Sequence, residues 1–458
     1  MLYLSVLFMA MLCLSLTAKP VDIPKFNTRD LSVTWEAVQN DNPKKGQSLN
    51  AITITNNGKA TFPATGWKMY FNSARMILEQ TITGNAAIKF VNGDLFSLTP
   101  AASFPDIKPG QSVRIAYITE DEVVNITDGP EGFYVVWDAQ PDKGYNIGAF
   151  SYKQFKPNYP GLITPATVYE QNKTIVDIPE AQLTKVFPTP VSYKENSGVF
   201  TFTKNTSTHF DDRFAGEVRA FDTWLGRLMG KRAAKNSPAS AISFNFKEDL
   251  GLEAYEITVT TNKIDVNAST TTGLFYAIQS LKTLIPASAW SHPQKEIQIP
   301  CVEIKDEPRF AYRAFMLDVG RNFQPKKEIF RVLDVMALYK INVFHMHLTE
   351  DEGWRVEIPS LPELTEVGGR RGHTLDSKHF LPASHGSGGE LENKTGTGFY
   401  TKADFIEILK YARERHVMVI PEIEAPGHAR AAIKSMNARY DRLMAEGKKA
   451  EAEKYLLY

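Results

Sequence analysis

Short segments that alternate apolar and polar residues dominate the first third of the chain. Between residues 26 and 152 they include LSVTWEAV, AITITNN and FYVVWDA, separated by turn residues such as Asn56-Asn57-Gly58 and Lys108-Pro109-Gly110. Alternation of this kind is typical of strands with one buried face, and glycine, proline and asparagine favour tight turns. No helical periodicity interrupts the pattern. The sequence therefore predicts an N-terminal β-sandwich over residues 26–152.

Three tryptophans in this segment have two possible roles. Trp35, Trp67 and Trp137 could form an exposed face on which sugar rings stack, or they could fill the core between two sheets. A core position is favoured for each residue taken singly, because a large aromatic side chain contributes most when it is buried. The sequence leaves both interpretations open.

The pattern changes to mixed helix and strand after a proline-rich stretch. Residues 153–175 are rich in proline and are predicted to form a linker. In residues 176–307, strands such as Val199–Thr203 alternate with amphipathic segments such as Phe214–Met229 and Thr272–Leu284. Apolar residues at i, i+3 and i+4 indicate that these segments are helices with one buried face. Residues 176–307 are therefore predicted to form a small α+β domain.

Strands and helices alternate regularly in the last segment, residues 308–458. Such alternation predicts a parallel sheet of the kind that closes into a TIM barrel. A complete (β/α)8 barrel takes about 250 residues, and this segment has 151, with a charged helical stretch at its end. We therefore expect a multidomain chain that ends in an incomplete (β/α)8 barrel and is truncated at its C-terminus. The predicted elements are strands 315–318, 342–348 and 417–423 and helices 326–339 and 401–416.

Composition describes a globular protein with room for sizeable cores. Of the 458 residues, 43% are hydrophobic and 23% are charged. Lysine plus arginine equals aspartate plus glutamate, at 52 each, so charge gives no reason to expect a nucleic-acid or anionic membrane partner. A neutral carbohydrate partner is compatible with this balance.

The first 18 residues are apolar and hold no charge, which predicts a secretory signal cleaved after Ala18. An uncleaved membrane anchor is the alternative, and the short apolar length argues against it. We therefore expect a secreted or periplasmic protein with no membrane contact after signal removal. Cys301 is then the only cysteine, so no intrachain disulfide is expected.

Polar residues follow each predicted strand of the last segment. They are Asp318 to Phe323 after the first strand, His345 to Arg355 at and after the second, and Pro421 to His428 at the end of the third. The C-terminal ends of barrel strands carry the chemistry of that fold. An arginine fork can donate to two vicinal hydroxyls, and carboxylates accept from hydroxyl groups. The recurrence of these residues at consecutive strand ends predicts a sugar site.

Several residues near this site have alternative explanations. His345 and His347 alternate on a strand, a pattern that suits a pair of metal ligands, but no third ligand is spaced to complete the site, so we predict no metal and no cofactor. Trp354 could be a platform for a sugar ring or could pack under a loop. Arg355 and Glu357 are expected to form a structural ion pair.

Four stretches resemble glycoside hydrolase family 20, the β-N-acetylhexosaminidases, in the subgroup of the bacterial chitobiases. The resemblance extends to the α+β domain that precedes the barrel in that family and to an N-terminal carbohydrate-binding sandwich. The stretches are DEPRFAYRAFMLDVGRNF (306–323), HMHLTEDEGWRVEI (345–358), YTKADFIEILKYARERHVMVIPEIEAPGHARAAI (400–433) and SMNARY (435–440).

The resemblance implies roles for individual residues. Arg321 would grip hydroxyls of the terminal N-acetylhexosamine, while His428 and Glu350 would form a pair that supports the general acid. Asp351 and Glu424 are predicted to be further supporting acids. The family usually has aspartate at positions 350 and 424, where this chain has glutamate. An Asp-Glu pair does occur next to Glu350, but it follows the second strand and is not assigned the acid/base role.

The resemblance also implies a retaining, substrate-assisted mechanism, in which the acetamido oxygen of the substrate attacks the anomeric carbon. In the family an Asp orients that group and the adjacent Glu serves as acid and base, both within a His-x-Gly-Gly-Asp-Glu motif at the fourth strand. The chain has no such motif, so the catalytic pair is expected beyond Tyr458 and this chain is expected to be inactive. The expected partners are β-linked N-acetylhexosamine oligosaccharides, from which an exo-acting enzyme would release the terminal sugar. A non-catalytic glycan-binding protein with a vestigial barrel is the alternative.

Overall fold

The computed structural model describes residues 25–155, 161, 163–179, 182–230 and 241–456. The predicted signal at residues 1–18 lies outside the described residues. The chain divides into two compact units, one formed by residues 1–162 with 388–390 and one formed by the remaining residues. Among the described residues, no helix combines the length and the apolar character needed to cross a membrane.

Two sheets make up the first unit. One sheet has the order β6-β2-β1-β9 and the other has the order β4-β5-β3-β7-β8. Alternate residues of each strand point inward, and side chains of both sheets, such as Ile52 and Met69, share one hydrophobic core. The strands are β1 (Leu31–Asn40), β2 (Ser48–Asn56), β3 (Trp67–Asn72), β4 (Ala86–Asn92), β5 (Leu95–Pro100), β6 (Ser112–Thr119), β7 (Glu131–Trp137), β8 (Gly144–Asn146) and β9 (Ala149–Tyr152).

The three tryptophans of this unit are core residues. Trp35, Trp67 and Trp137 expose 1%, 1% and 2% of their surface. Their rings pack on other aromatic side chains, and the ring centroids of Phe62 and Trp67 lie 4.8 Å apart. The interpretation of these residues as a sugar-stacking face is therefore wrong.

The predicted linker contains a short helix, α1 (Pro165–Asn172). The Thr164 hydroxyl accepts a hydrogen bond from the Thr167 N–H and so caps the first turn. Pro165 stands at the first helical position, where its missing N–H costs nothing. Residues 156–160 and 162 of the linker lie outside the described residues.

The α+β part of the second unit has one six-stranded sheet, with the order β10-β15-β13-β14-β12-β11. Helices α2 and α3 lay their apolar faces on it, so that Phe221 and Leu274 join the same core as Ile257. The elements are β10 (Ser192–Phe202), β11 (Ser207–Phe210), α2 (Ala215–Met229), β12 (Ala241–Phe246), β13 (Tyr255–Val259), β14 (Lys263–Ala268), α3 (Thr271–Thr283), α4 (Ala287–Ser291) and β15 (Ile297–Asp306).

The last part contains a parallel sheet of three strands, in the order β16-β17-β22. Helices α5 and α7 pack side by side, with the rings of Phe330 and Tyr411 stacked at 4.1 Å. Within the described residues this sheet has two free edges and does not close into a barrel. The elements are β16 (Ala314–Asp318), α5 (Lys326–Leu338), β17 (Val343–His347), β18 (Thr349–Glu350), β19 (Gly353–Trp354), α6 (Glu363–Glu366), β20 (Arg371–Gly372), β21 (Leu381–Pro382), α7 (Lys402–Arg413), β22 (Met418–Glu422), α8 (Arg430–Ala445) and α9 (Lys449–Ala452).

The register of this sheet brings three polar residues to one level. Asp318 is the Cα partner of His347, and His347 is the Cα partner of Glu422. Each is the last residue of its strand. The C-terminal edge of the sheet therefore begins with one acid, one imidazole and a second acid side by side.

Candidate functional site

Glu350 is the centre of the cluster at this edge. Its side chain is 1% exposed, and four donors reach it. Oε1 contacts Arg321 Nη2 at 2.5 Å and His347 Nε2 at 2.9 Å, while Oε2 contacts His428 Nδ1 at 2.9 Å and accepts from the Asp351 N–H at 3.1 Å. A carboxylate offers about four lone-pair sites. The acceptor capacity of Glu350 is therefore filled by the protein, so this acid acts through its partners.

Arg321 is fixed at both its backbone and its side chain. Its backbone N–H and its Nη1 donate to the Asp318 carboxylate at 2.9 Å and 2.6 Å. The buried Arg371 donates to the Arg321 carbonyl oxygen at 2.8 Å. Because an arginine has five N–H donors, the contacts with Asp318 and Glu350 engage only part of the fork. The side chain is 36% exposed, so the guanidinium can present its other donors to a ligand.

His428 is the most exposed member of the cluster, with 55% of its side chain accessible. It follows β22 in a loop and has a positive φ of 48°. Because its Nδ1 is 2.9 Å from the buried Glu350 carboxylate, that contact sets the orientation of the ring. The structure thus brings Arg321, Glu350 and His428 together, as the sequence predicted.

The three consecutive acids 350–352 diverge. Asp351 does not join the cluster with His428, because its Oδ1 accepts from the backbone N–H of Arg430 at 2.8 Å at the start of α8. A carboxylate at a helix N-terminus is stabilised by the free N–H groups there. This contact ties Asp351 to the start of α8, and its role as a supporting acid of the sugar site stays a prediction. Burial raises the pKa of Glu352, and its neighbours Asp351 and Glu350 act in the same direction.

Glu424 pairs with another acid, Glu422, and the hydrogen bond between these carboxyl groups raises the pKa of Glu424. The pKa of Glu422 is lowered, because its hydrogen bonds to His347 and Glu424 outweigh its burial. The two shifts are opposite in sign, so a proton bound by this pair is held more tightly by Glu424 than by Glu422. The backbone N–H of Glu424 donates to the Thr349 hydroxyl at 2.8 Å, which holds this segment against β18.

His345 and His347 do have acidic partners, which come from another strand. Glu422 Oε2 lies 2.6 Å from His345 Nε2 and 2.7 Å from His347 Nδ1. Ligand atoms of His347, Glu422 and Glu424 lie within 4.8 Å of one another, which is close enough for a metal ion to be considered. Spacing along the sequence missed this set because the acids are separated from the histidines by a helix. The set could have been found by placing the ends of the second and third predicted strands side by side in a parallel sheet.

Arg355 does not pair with Glu357. Its buried guanidinium donates to the backbone carbonyl groups of five residues, and burial lowers its pKa to about 9. Glu357 instead accepts from the Lys402 N–H at 2.7 Å. The prediction of an Arg355–Glu357 ion pair is therefore wrong, and Arg355 fastens the loops around the site. The five acceptors are Val319, Gly320, Gly369, Gly396 and Gly398.

Trp354 packs under the same loops. Its side chain is buried in a cluster with Leu364 and Leu381, and its Nε1–H donates to the Val356 carbonyl at 2.7 Å. Both its apolar surface and its polar atom are therefore satisfied within the protein. Packing, the second of the two roles considered for Trp354, is correct.

Three family models match the chain in succession. A carbohydrate binding domain model matches residues 31–149, the model of glycosyl hydrolase family 20 domain 2 matches residues 183–307, and the model of the family 20 catalytic domain matches residues 310–456. Together these matches give a layout of carbohydrate-binding domain, domain 2 and catalytic domain.

Known relatives carry related names. The N,N'-diacetylchitobiase of Vibrio harveyi is 34% identical over 97% of this chain and 52% of its own length, and a β-hexosaminidase of Vibrio vulnificus is 32% identical over 85% and 48%. A crystal structure of a family 20 exo-β-N-acetylglucosaminidase from Vibrio harveyi in complex with N-acetylglucosamine superposes with a TM-score of 0.71 and 25% identity, covering 89% of this chain and 59% of that one. The chain thus spans about half the length of the curated relatives it matches. Because the family models, the relatives and the solved structure agree, the chain belongs to glycoside hydrolase family 20.

Proposed function

We propose that the chain supplies the sugar-gripping part of an exo-acting β-N-acetylhexosaminidase that releases terminal N-acetylhexosamine from chitin-type or glycan oligosaccharides. The proposal draws support from the relatives named chitobiase and β-hexosaminidase and from the carbohydrate-binding domain at residues 31–149. In this proposal the open parallel sheet is part of a (β/α)8 barrel, as in the family.

One arrangement carries the proposal. The buried Glu350 fixes two partly exposed donors, Arg321 and His428, at the C-terminal edge of a parallel sheet. A pyranose ring offers vicinal hydroxyls, which suit a guanidinium fork, and an exposed imidazole can donate to or accept from a further oxygen. Because both donors are held before any ligand arrives, little conformational entropy is lost when a sugar binds.

The proposed reaction is retaining and substrate-assisted. The acetamido oxygen of the bound sugar would attack the anomeric carbon, and an Asp-Glu pair would orient that group and move the proton. No His-x-Gly-Gly-Asp-Glu motif occurs in the 458 residues. In this proposal the 458 residues hold the groups that recognise the sugar, and the acid and base belong to a motif outside them.

Hydrolysis of an aryl N-acetyl-β-glucosaminide tests the placement of the acid and base. We expect no turnover by the 458-residue chain and measurable turnover by a version extended with a segment that bears the missing motif. The matched control is the same extended version with the glutamate of that motif changed to glutamine. Appreciable turnover by the 458-residue chain would contradict the proposed location of the catalytic pair.

Calorimetric titration of N-acetylglucosamine into the same chain tests the recognition residues separately. Arg321→Lys should weaken binding by about tenfold, because a lysine cannot donate as a planar fork. Arg370→Lys, which makes the same change at an exposed position, should leave the affinity unchanged. Equal affinities for the two variants would remove Arg321 from the site.

The alternative, a non-catalytic glycan-binding protein with a vestigial barrel, predicts binding without turnover in both versions. Trp35, Trp67 and Trp137 are buried, so these three residues offer no exposed stacking face in support of this alternative. We further propose a secreted or periplasmic location, which rests on the uncharged apolar residues 1–18. Blocking signal cleavage and following the mass of the exported chain would test that location.

A further inference from the structure

His347 is buried between two acids that come from different elements. It is the last residue of β17 and is 7% exposed. Its Nδ1 lies 2.7 Å from Glu422 Oε2 at the end of β22, and its Nε2 lies 2.9 Å from Glu350 Oε1 in β18. Both ring nitrogens are therefore at hydrogen-bond distance from a carboxylate oxygen.

These contacts specify the protonation state of the ring. A neutral imidazole has one N–H, so it can donate to one carboxylate only. Glu350 Oε1 is also in contact with Arg321 Nη2, and Glu422 Oε2 is also in contact with His345 Nε2. Each oxygen thus has a second nitrogen partner, which favours the ionised form of both acids. Two hydrogen bonds from His347 to two ionised acids require both ring nitrogens to be protonated.

A metal ion is the competing explanation for this cluster, since His347, Glu422 and Glu424 bring their ligand atoms close together. In a tetrahedral zinc site, bonds of about 2.0–2.1 Å place neighbouring ligand atoms about 3.3 Å apart. Within this set, His347 Nδ1 and Glu422 Oε2 lie 2.7 Å apart, which is the length of a charge-assisted hydrogen bond. The distance therefore favours a proton over a metal ion.

We propose that His347 is a positioning residue of the sugar site, held as an imidazolium between Glu350 and Glu422; this rests on the sugar-binding function proposed above. The positive charge ties the segment after β17 to the end of β22. It also fixes Oε1 of Glu350, whose other oxygen orients His428. His347 thus acts on the sugar through Glu350, without touching the sugar itself.

The charges around His347 support this state. Burial alone would lower the pKa of His347, but the hydrogen bond to Glu422 and the negative charge of Asp318 outweigh it and raise the pKa above 6.5. A base with a raised pKa stabilises the fold fully below its unfolded pKa and loses that contribution as pH rises through its folded pKa. The charged and titratable groups that face His347 or its two acids are Asp318, Arg321, His345, Glu350, Glu422, Glu424 and His428.

The first test measures the ring directly, without any sugar. Long-range proton–nitrogen NMR spectra of the full chain, labelled at histidine, should show both nitrogens of His347 protonated at pH 7, with the signal assigned by its loss in His347→Gln. A single tautomer at that pH would overturn the proposal. A titration with Zn²⁺ completes this test. If the wild-type chain binds one Zn²⁺ and His347→Gln binds none, His347 is a metal ligand and the proposal of an imidazolium is overturned.

The second test measures the effect on recognition. As pH rises from 6 to 9, the affinity of the wild-type chain for N-acetylglucosamine should fall by about tenfold or more, the effect of losing one hydrogen bond to a charged group. His347→Gln should bind weakly with a flat profile, while the exposed His292→Gln should keep the wild-type profile. A wild-type profile in His347→Gln would overturn the proposal.

The two readouts separate this proposal from the proposed function. If the wild-type chain binds no N-acetylglucosamine at any pH, the sugar-binding function fails, while the NMR result still decides the charge of His347. If sugar binds but His347 is a single tautomer, the function stands and the positioning role of His347 is excluded.

Discussion

Glu350 Oε2 and His428 Nδ1 lie 2.9 Å apart, and they join a fully buried acid to an imidazole that is half exposed. The two residues are separated along the chain by the whole of helix α7. The sheet brings them together because β17 and β22 are neighbouring parallel strands. A buried carboxylate thus sets the direction of a group that can meet a ligand.

Glu350→Asp tests whether the length of this side chain matters. The change keeps the charge but withdraws the carboxylate by about one methylene, so it cannot reach Arg321, His347 and His428 together. We expect the free energy of unfolding to fall by about 2 kcal/mol, since hydrogen bonds to charged groups are lost. Urea denaturation followed by circular dichroism measures it. The exposed Glu366→Asp is the control, and an equal effect of both variants would contradict the argument.

The positions of the strands and the three residues that meet at their ends were predictable from sequence. Apolar runs marked the strands, and β16, β17 and β22 lie within about one residue of the predicted ranges 315–318, 342–348 and 417–423. Polar residues after such strands must share one edge of a parallel sheet. The convergence of Arg321, Glu350 and His428 follows from that rule. Their roles toward a sugar stay predictions.

Contacts made by loops were not predictable. Spacing suggested that Arg355 would pair with Glu357, but a buried arginine is satisfied by whatever acceptors the fold delivers, here five carbonyl groups. In the same way, Asp351 directly follows Glu350, yet its Oδ1 accepts from the Arg430 N–H at the start of α8, because successive residues leave a strand in different directions. Which partner each acid meets depends on tertiary packing that no local pattern encodes.

Arg355→Lys should destabilise the fold strongly. A lysine ammonium has three donors and no planar fork, so it cannot serve five carbonyl groups that surround a guanidinium. Leaving several buried carbonyls without a donor should cost about 3 kcal/mol or more. Thermal unfolding of the variant, compared with the exposed Arg370→Lys, measures the effect. If Arg355→Lys melts within a degree or two of Arg370→Lys, the guanidinium is not the fastening group.

Gly353→Ala should destabilise the fold, because the added Cβ has no room. A Cβ at this position would lie 2.5 Å from the Gly320 carbonyl oxygen and would also collide with the guanidinium of Arg355. We expect a loss of about 2 kcal/mol, as for other overpacked positions. Gly226→Ala is the matched control, because nothing lies within 4 Å of its Cβ in helix α2. It should be neutral or stabilising by about 0.5–1 kcal/mol. Equal unfolding midpoints in urea would contradict the predicted collision.

Glu352→Gln should stabilise the protein, in a way that depends on pH. Burial raises the pKa of Glu352 above 4.5, and its Oε2 finds no hydrogen-bond partner among the described residues. An acid with a raised folded pKa lowers stability as pH rises from its unfolded pKa through its folded pKa. The variant should therefore exceed the wild type by about 1 kcal/mol at pH 8 and match it near pH 4. Urea denaturation at both pH values, with the exposed Glu366→Gln as control, measures this; a constant difference would show that charge is not the cause.

Lys340 fastens the α+β part to the parallel sheet within the second unit. The residue follows α5 with a positive φ of 57° and is buried. Its Nζ donates to the Tyr255 hydroxyl at 2.7 Å and to Asp306 Oδ2 at 2.8 Å. Burial lowers the pKa of Lys340, but the charge of Asp306 opposes that shift. The pair therefore depends on both charges being present together.

Lys340→Met should cost about 3 kcal/mol, because it leaves Asp306 largely buried without its cation. Lys340→Met combined with Asp306→Asn should recover part of the loss, which gives a coupling energy of about 1–3 kcal/mol in a double-mutant cycle. The control is Lys263→Met, which changes a side chain that is 51% exposed and whose Nζ lies 2.7 Å from Asp265 Oδ1. It should cost less than about 1 kcal/mol. Urea unfolding of Lys340→Met, Asp306→Asn, the double variant and Lys263→Met measures all of these values. If the double variant is as unstable as the sum of its single changes, Lys340 and Asp306 act independently and the fastening contact lies elsewhere.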